Sequence, residues 1–352
     1  MVFHGIAHSG GAVAELFSAQ FPDVIVVGCT TMGEIGPLGV LDSSIVVFAM
    51  AAPCRVAAER ISDLEGFRFE EGAQLLSRLA HTLDLELESL EPERHVVLTL
   101  TDGLSSNQEQ LFAALGDAAP ALSLVGGSAA DDFEMTATHC FVGEDTGSGG
   151  AVVMLMEPGV PFQPFAIHQF TAPDEQVVIT GADPERRLIT EINGWPAVRE
   201  FARLSGYSED ALLSDPDLAR SVPIQLGFQV GDSIFIRGIM AITPDGLVLA
   251  ATVEEGMVLQ TARSGDIVKT TETGVAEAID ALGGSSAGIL LFNCGGRLHH
   301  ARRTGQLDAM FEAMTPAPAA GFHTYGEHFG SVLVNYTLTG LTFGTPGADV
   351  AG

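Results

Sequence analysis

Gly28-Cys29-Thr30-Thr31-Met32-Gly33-Glu34, near the start of the chain, is matched near its end by Gly321-Phe322-His323-Thr324-Tyr325-Gly326-Glu327. Both read G-x-x-T-x-G-E. A weaker copy between them, Gly126-Gly127-Ser128-Ala129-Ala130-Asp131-Asp132, keeps the leading glycine, small residues and a terminal acid. Each copy follows an apolar stretch and precedes a β-rich one. The phrase therefore reads as a strand that ends in a polar turn carrying an acid. The first expectation is one architecture used several times, with polar turns open to a ligand.

The repeat extends upstream of each phrase. Val96 to Leu100 is short, apolar and β-branched, the pattern of a buried strand. After the Thr101-Asp102-Gly103 turn, Ser105-Ser106-Asn107-Gln108 reads as a capping box opening a helix to Leu115. A second strand, Ala121 to Val125, then runs into Gly126. At the C-terminal end Ile289 to Phe292 is the strand and Asn293-Cys294-Gly295-Gly296-Arg297 the turn. A helix over 307–314 follows, then Pro316 and Pro318 before Gly321. The first copy is abbreviated to a stub at Val2-Phe3, a helix over 12–19 and a strand over 24–27. Three copies in one order predict an internal β-α-β-β repeat, and the irregular period separates it from an ordinary solenoid.

These elements predict a mixed α/β fold of α+β layers: two related domains built from repeated β-α-β-β units, with largely antiparallel sheets. The domains are expected at 1–157 and 177–352. The stretch 158–176 carries Pro161, Pro164 and Pro173, so it reads as an extended crossing. The strand over 150–156 is expected to close the first domain, with Phe141-Val142 as its hairpin partner. Thr243-Pro244-Asp245-Gly246 marks a hairpin, and a helix over 273–282 stops at Gly283-Gly284.

The composition, 46% hydrophobic and 17% charged over 352 residues, is that of a folded chain long enough for two sizeable cores. A net charge of −29 repels nucleic acid and anionic membranes. The first basic residue is Arg55, so no basic segment precedes an apolar run as in a secretory signal. No apolar stretch approaches the ~18 residues of a membrane span. The four cysteines, Cys29, Cys54, Cys140 and Cys294, are far apart and read as free thiols. A cytoplasmic protein with no nucleic-acid or membrane partner is expected.

In order along the chain, Gly28 to Ile35, Thr101-Asp102-Gly103-Leu104-Ser105, Gly126-Gly127-Ser128-Ala129, Ile236-Arg237-Gly238-Ile239, Asn293-Cys294-Gly295-Gly296-Arg297, Tyr325-Gly326-Glu327 and Asn335-Tyr336-Thr337-Leu338-Thr339 resemble the FIST family, with its N-terminal and C-terminal domains. The chain starts almost inside its first strand, where the family has a longer lead-in, so a trimmed N-terminal segment is expected. The resemblance implies a sensory module of prokaryotic signalling that binds a small ligand. It implies a partner in trans, such as a histidine kinase or a cyclic-dinucleotide enzyme. Some relatives are haem proteins that sense nitric oxide, which makes haem a candidate cofactor.

Candidate ligand residues sit at the strand–turn corners. Gly126, Gly127 and Ser128, and the Gly295-Gly296-Arg297 turn, offer backbone N–H groups to an anion, and Arg297 a bidentate clamp for a carboxylate. Glu34 and Glu327, at equivalent repeat positions, either bind a ligand amine or bond nearby amides and organise their turns. Thr30, Thr31 and Thr324 face the same choice. Asp102 reads as a turn acid or ligand contact, and Asn335 as a bridge to the Gly326-Glu327 turn or a pocket residue. His323 and His328 flank the repeated turn and are the candidate axial ligands for haem. A hydrolase or transferase built on Cys294 with His299 is the alternative from another class. No H-E-x-x-H, Walker or dinucleotide fingerprint is present.

Overall fold

The computed structural model describes residues 1–171, 175–215, 218–220, 223–230 and 233–345. Its plan follows from strands such as Val96–Thr101, buried along their whole length. Val97 packs against the helices Glu71–Thr82 and Gln108–Ala118 with Leu75, Leu79 and Phe112. Val96, Leu98 and Leu100 point the other way, into a central core with Phe3, Phe292 and Phe322. With both faces covered, the strand reads as a continuous apolar run.

Three units of this kind are present, as the repeated phrase predicts. In each, a strand and helix lead to a second strand parallel to the first. The pairs are Val2–Gly5 with Val27–Thr31, Val96–Thr101 with Ser123–Ser128, and Gly288–Cys294 with Ala319–Thr324. A third strand returns antiparallel beside the first: Ile45–Val47, Ala151–Glu157 and Thr337–Phe343 respectively. We refer to these as units I, II and III. The second strand of each unit ends in the polar phrase.

A hairpin follows each phrase, and it leaves its own sheet. Glu34–Gly36 of unit I pairs with Ala319–Thr324 of unit III. Glu327–Phe329 of unit III pairs with Ser123–Ser128 of unit II. Cys140–Val142 of unit II pairs with Val27–Thr31 of unit I. The exchange closes a ring, so the N-terminal and C-terminal parts of the chain share one core. Units II and III each add an outer strand, Arg55–Ile61 and Phe162–His168. Pro164 lies in that last strand, at the edge of its sheet, where a missing N–H costs no ladder bond.

Between Phe162–His168 and the helix Ile267–Asp280, the chain makes a further antiparallel sheet. Gln176–Asp183, Leu188–Ile192 and Val258–Arg263 are among its strands. The helix Ala197–Ser205 covers it, and the two bury their own core around Ile179, Ile192, Phe201 and Leu247. The Pro244-Asp245-Gly246 hairpin forms as expected between Ile239–Thr243 and Gly246–Leu249.

Four local expectations are corrected. Phe141 and Val142 pair with Gly28 and Val27, not with the strand Ala151–Glu157, because the hairpin serves the neighbouring unit. Residues 295–304 are a helix, not a turn alone. Its Gly295-Gly296 start and polar His299-His300 and Arg302-Arg303 pairs conceal it, since glycine is a poor helix former. The helix expected from 273 starts at Ile267, where Asp266 caps the N–H groups of Val268 and Lys269. No capping box forms at Ser105. The Ser105 hydroxyl instead donates to Glu65 and accepts from the Asn107 N–H.

Candidate functional site

The repeated acids hold their own turns. Thr31 donates to the Glu34 carboxylate and Thr324 to that of Glu327. The second oxygen of Glu34 accepts from the Ser44 N–H at 2.9 Å and its hydroxyl at 2.6 Å. The second oxygen of Glu327 accepts from the Thr337 N–H at 3.3 Å. Each acid thus ties its turn to the entry of the third strand, at Ser44 and Thr337. In the weaker copy the strand register makes Asp131, not the terminal Asp132, the equivalent of Glu34 and Glu327. It accepts from the N–H groups of Met135, Thr136 and Ala137, and from the Tyr325 hydroxyl.

Several other candidates are also engaged internally. Thr30 accepts from the His139 N–H at 3.1 Å. Asp102 accepts from Leu104 N–H at 2.8 Å and the Thr138 hydroxyl at 2.6 Å. A Cβ at Gly126 would lie 2.0 Å from the Thr99 carbonyl oxygen, and one at Gly127 2.7 Å from the Thr324 methyl, so both glycines serve close packing. Ser128 donates to Gln108 at 2.5 Å.

The two candidate haem ligands are buried to 0% exposure. His328 has Thr99 at 2.7 Å from Nδ1 and Ser128 at 3.1 Å from Nε2, and its ring lies 3.9 Å from that of Phe112. Both of its nitrogens are taken. His323 bonds Asn293 at 2.9 Å and leaves Nε2 without a hydrogen-bond partner. Burial, with Arg302 and Arg297 nearby, pushes its pKa down to about 3. Neither ring lines the cleft described next, and of the two only His323 keeps a nitrogen free for an axial bond. Among the described residues no group of three or more His, Cys, Asp or Glu is placed to hold a metal ion.

Unit III meets the sheet formed by 175–263 at a narrow cleft with room for about 20 Å³, little more than one water molecule. Cys294, Gly295 and Gly296, the start of the helix Gly295–Thr304, form one wall, and Thr324 and Tyr325 another. Asn335 and Tyr336 form the third. Gly238, Met240 and Ala250 close it from the opposing sheet, and Arg220 stacks over Phe133 at 4.4 Å at the side. Gly296 is required here, since a Cβ would meet the Tyr336 ring at 2.8 Å. Asn335 accepts from Gly238 N–H at 3.1 Å, but its Nδ2, although buried, has no hydrogen-bond partner. Tyr336 (φ 51°) and Phe133 (φ 64°) are both in the left-handed region, which bulky residues rarely occupy.

Arg297 lies directly behind this wall, fully buried. Its guanidinium donates to Asn293 at 2.9 Å, Gln169 at 3.0 Å and Thr271 at 2.6 Å, all neutral acceptors. Burial lowers its pKa to about 10. Gln169 and Thr271 flank the excursion of chain that builds the opposing sheet, so one side chain ties its entry to its exit. Burial pushes Glu327 well above the usual carboxylate range, and burial with Glu327 beside it pushes the Cys294 thiol up. That is opposite to what a nucleophilic thiolate needs.

The structure thus brings together Thr324, Asn335 and the Gly295–Gly296 turn, with Arg297 and Glu327 behind. It leaves Thr30, Thr31, Glu34, Asp102, Gly126, Gly127, Ser128, His323 and His328 off the cleft. Tyr325, Tyr336, Phe133 and Arg220 were not expected. One signal for them is in the sequence: two of the three tyrosines of the chain, Tyr325 and Tyr336, fall in the last unit.

The chain is built of repeated strand–turn–acid units closed into a ring, with a narrow cleft at one corner. It matches the FIST N domain over residues 1–195 and the FIST C domain over residues 198–330, and it belongs to the FIST family. FIST domains are associated with small-ligand sensing in signal transduction. No curated protein matches the sequence. A solved structure of cyanuric acid hydrolase from A. caulinodans is similar at 11% identity over 83% of this chain and 100% of that one, but at a TM-score of 0.21 it carries no argument. Among the described residues no helix is long and apolar enough to cross a membrane.

Proposed function

We propose that this protein is a cytoplasmic sensor that takes a small organic molecule between unit III and the opposing sheet, at a cleft that must widen from its present volume of about 20 Å³ to admit it. Occupancy is passed in trans to a partner, such as a histidine kinase or a cyclic-dinucleotide enzyme. Amino-acid-like compounds and other small organic molecules are the ligand classes to which the sequence points. The observation that carries the reading is the Asn335 amide. A buried donor without a partner costs roughly 1–3 kcal/mol, and here it lies in a cleft beside a helix N-terminus and two left-handed aromatic residues. Strain of that kind concentrates at ligand clamps.

The cleft also supports a route for the signal. Its walls belong to the ring and to the opposing sheet, so a ligand that touches both favours one arrangement of the two over another. Only differential affinity for the two arrangements shifts their populations. The disposition of His323 and His328 gives no support to a haem-based nitric oxide sensor, and the raised thiol of Cys294 gives none to a hydrolase or transferase.

The test is a thermal-shift screen of small metabolites against the wild type and Asn335→Leu. A ligand at a hundred times its Kd adds about 2.7 kcal/mol of stability, a rise of several degrees. The shift should vanish in Asn335→Leu. A ligand whose shift survives that change, and equally survives Gly296→Leu, binds elsewhere and overturns the assignment of the cleft.

A further inference from the structure

We infer that Cys29 and Cys140 are a disulfide-forming pair, oxidised by a small-molecule disulfide such as glutathione disulfide, and that the bond clasps unit I to unit II. The inference is independent of the cleft.

Along the chain the two cysteines lie more than a hundred residues apart. The ring brings them face to face. Cys29 sits in Val27–Thr31, the second strand of unit I, and Cys140 opens the strand Cys140–Val142 that unit II sends across to it. The antiparallel register sets Cys29 directly opposite Cys140. The hydrogen bonds of the ladder fix the kind of pair. The Gly143 N–H donates to the Val26 carbonyl at 2.7 Å and the Thr30 N–H to the His139 carbonyl at 3.0 Å. Bonded and unbonded pairs alternate in such a ladder, which makes Cys29 and Cys140 an unbonded pair. Pairs of that kind bring their Cα atoms to about 4.5 Å, with both side chains on one face. A disulfide spans Cα separations of about 4.4–6.8 Å, so the bond closes with little movement of either strand. Both side chains belong to the central core, with Phe3 and Phe322. The other two cysteines are not so placed. Cys54 precedes the strand Arg55–Ile61, and Cys294 stands opposite Thr324.

In the closed ring the pair is shielded. Cys29 is 0% and Cys140 1% exposed, and burial pushes both thiols up in pKa, so little thiolate forms. Exchange therefore takes place as the chain folds or when the hairpin lifts. The hairpin is short, two strands of three residues at one edge of its sheet. With it lifted, one cysteine thiolate attacks a sulfur of glutathione disulfide and expels a glutathione thiolate. The second cysteine attacks the mixed disulfide and expels the other glutathione. Two thiols become one S–S bond, two electrons pass to the glutathione disulfide, and the two thiol protons end on the glutathiones. Once the hairpin is seated again, the bond is as far from reductant as the thiols were from oxidant. It then fastens unit I, whose own cluster around Val13, Ala14 and Phe141 is small, to its neighbour.

The test is refolding of the full chain from urea in a mixture of oxidised and reduced glutathione, then alkylation with N-ethylmaleimide in urea and peptide mass mapping. Two thiols, Cys54 and Cys294, should alkylate, and one linked peptide pair should join Cys29 to Cys140. Cys29→Ala and Cys140→Ala should each alkylate at all three remaining thiols. The oxidised protein should melt several degrees above the reduced one, and should keep its bond in dithiothreitol when folded but lose it in urea. Where refolding is incomplete, the same count is made on native protein held with glutathione disulfide in urea below the unfolding midpoint. Four alkylated cysteines in the wild type, or a bond mapped to Cys54 or Cys294, overturns the pairing. A Cys29–Cys140 bond that leaves the melting temperature unchanged overturns the clasp.

Discussion

Two histidines buried in neutral form give this protein a defined acid sensitivity. The His323 pKa falls from the usual 6.5 to about 3, chiefly by burial, and that of His328 lies well below its usual value for the same reason. The unfolded chain therefore binds a proton at each of these sites as pH drops below 6.5, while the folded chain does not until near pH 3 at His323. Stability is present above pH 6.5 and is lost as pH falls through that window. At about 1.4 kcal/mol per pH unit, His323 alone should cost about 2 kcal/mol between pH 7 and pH 5. Glu327 works in the opposite sense, since its raised pKa lets the folded state hold a proton that the unfolded state has lost. The lowered carboxylates, such as Glu109 and Glu157, act chiefly below this window. The assay is urea unfolding of the wild type and of His323→Gln at pH 7 and pH 5. The cost of the substitution itself cancels when each variant is compared with itself at the two pH values. The loss from pH 7 to pH 5 should be smaller by about 2 kcal/mol in His323→Gln. The same loss in both proteins would refute the neutral buried histidine.

Three further outcomes are expected from the packing. Gly126→Ala sets a methyl 2.0 Å from the Thr99 carbonyl oxygen, a backbone atom that cannot yield. It should cost about 3 kcal/mol or more, and an unchanged urea midpoint would contradict the close pairing of the two strands. Thr324→Val keeps shape but removes the hydroxyl that donates to Glu327. The loss should be roughly 1–3 kcal/mol, read by thermal melting. Arg297→Lys keeps the charge but cannot reach Asn293, Gln169 and Thr271 together. A loss of about 2–3 kcal/mol is expected in chemical denaturation.

The ring was legible as a repeat and illegible as a ring. Val96 to Leu100 and Ile289 to Phe292 announce buried strands because both faces are covered, and the G-x-x-T-x-G-E phrase marks where such a strand stops. The destination of each hairpin is a different matter. Cys140–Val142 pairs with Val27–Thr31, more than a hundred residues away, and no local pattern encodes the choice. The helix Gly295–Thr304 was hidden by its glycines and by an apolar stripe reduced to buried Leu298 and Ala301. On sequence alone Glu34 and Glu327 suit either a ligand or a turn, and their bonds to Thr31 and Thr324 put them in the turn. The cleft was half in view. Asn335 and Thr324 belong to repeated phrases, but Phe133 and Arg220 come from irregular segments that reach it only through the fold.

The unit that carries the cleft is the one that departs from its siblings. Each link before a third strand contains a left-handed residue: Ser43 in unit I (φ 54°), Gly149 in unit II (φ 70°) and Tyr336 in unit III (φ 51°). A left-handed backbone costs roughly 1–2 kcal/mol outside glycine, so glycine is the natural occupant and tyrosine the poorest of the three. The ring of Tyr336 offsets that cost. It meets Phe170 edge-on at 5.6 Å, covers Gly296, and sends its hydroxyl to the Arg220 carbonyl at 2.9 Å. Truncating a buried aromatic costs about 3–5 kcal/mol. Tyr336→Gly should therefore lose about 2–3 kcal/mol even after the backbone is relieved, and Tyr336→Phe only about 1 kcal/mol, for the hydroxyl bond. The glycine variant should also lose the thermal shift given by any ligand of the cleft, while the phenylalanine variant keeps it. A glycine variant more stable than the wild type would mean that the ring holds nothing in place, and the strained tyrosine would need another explanation.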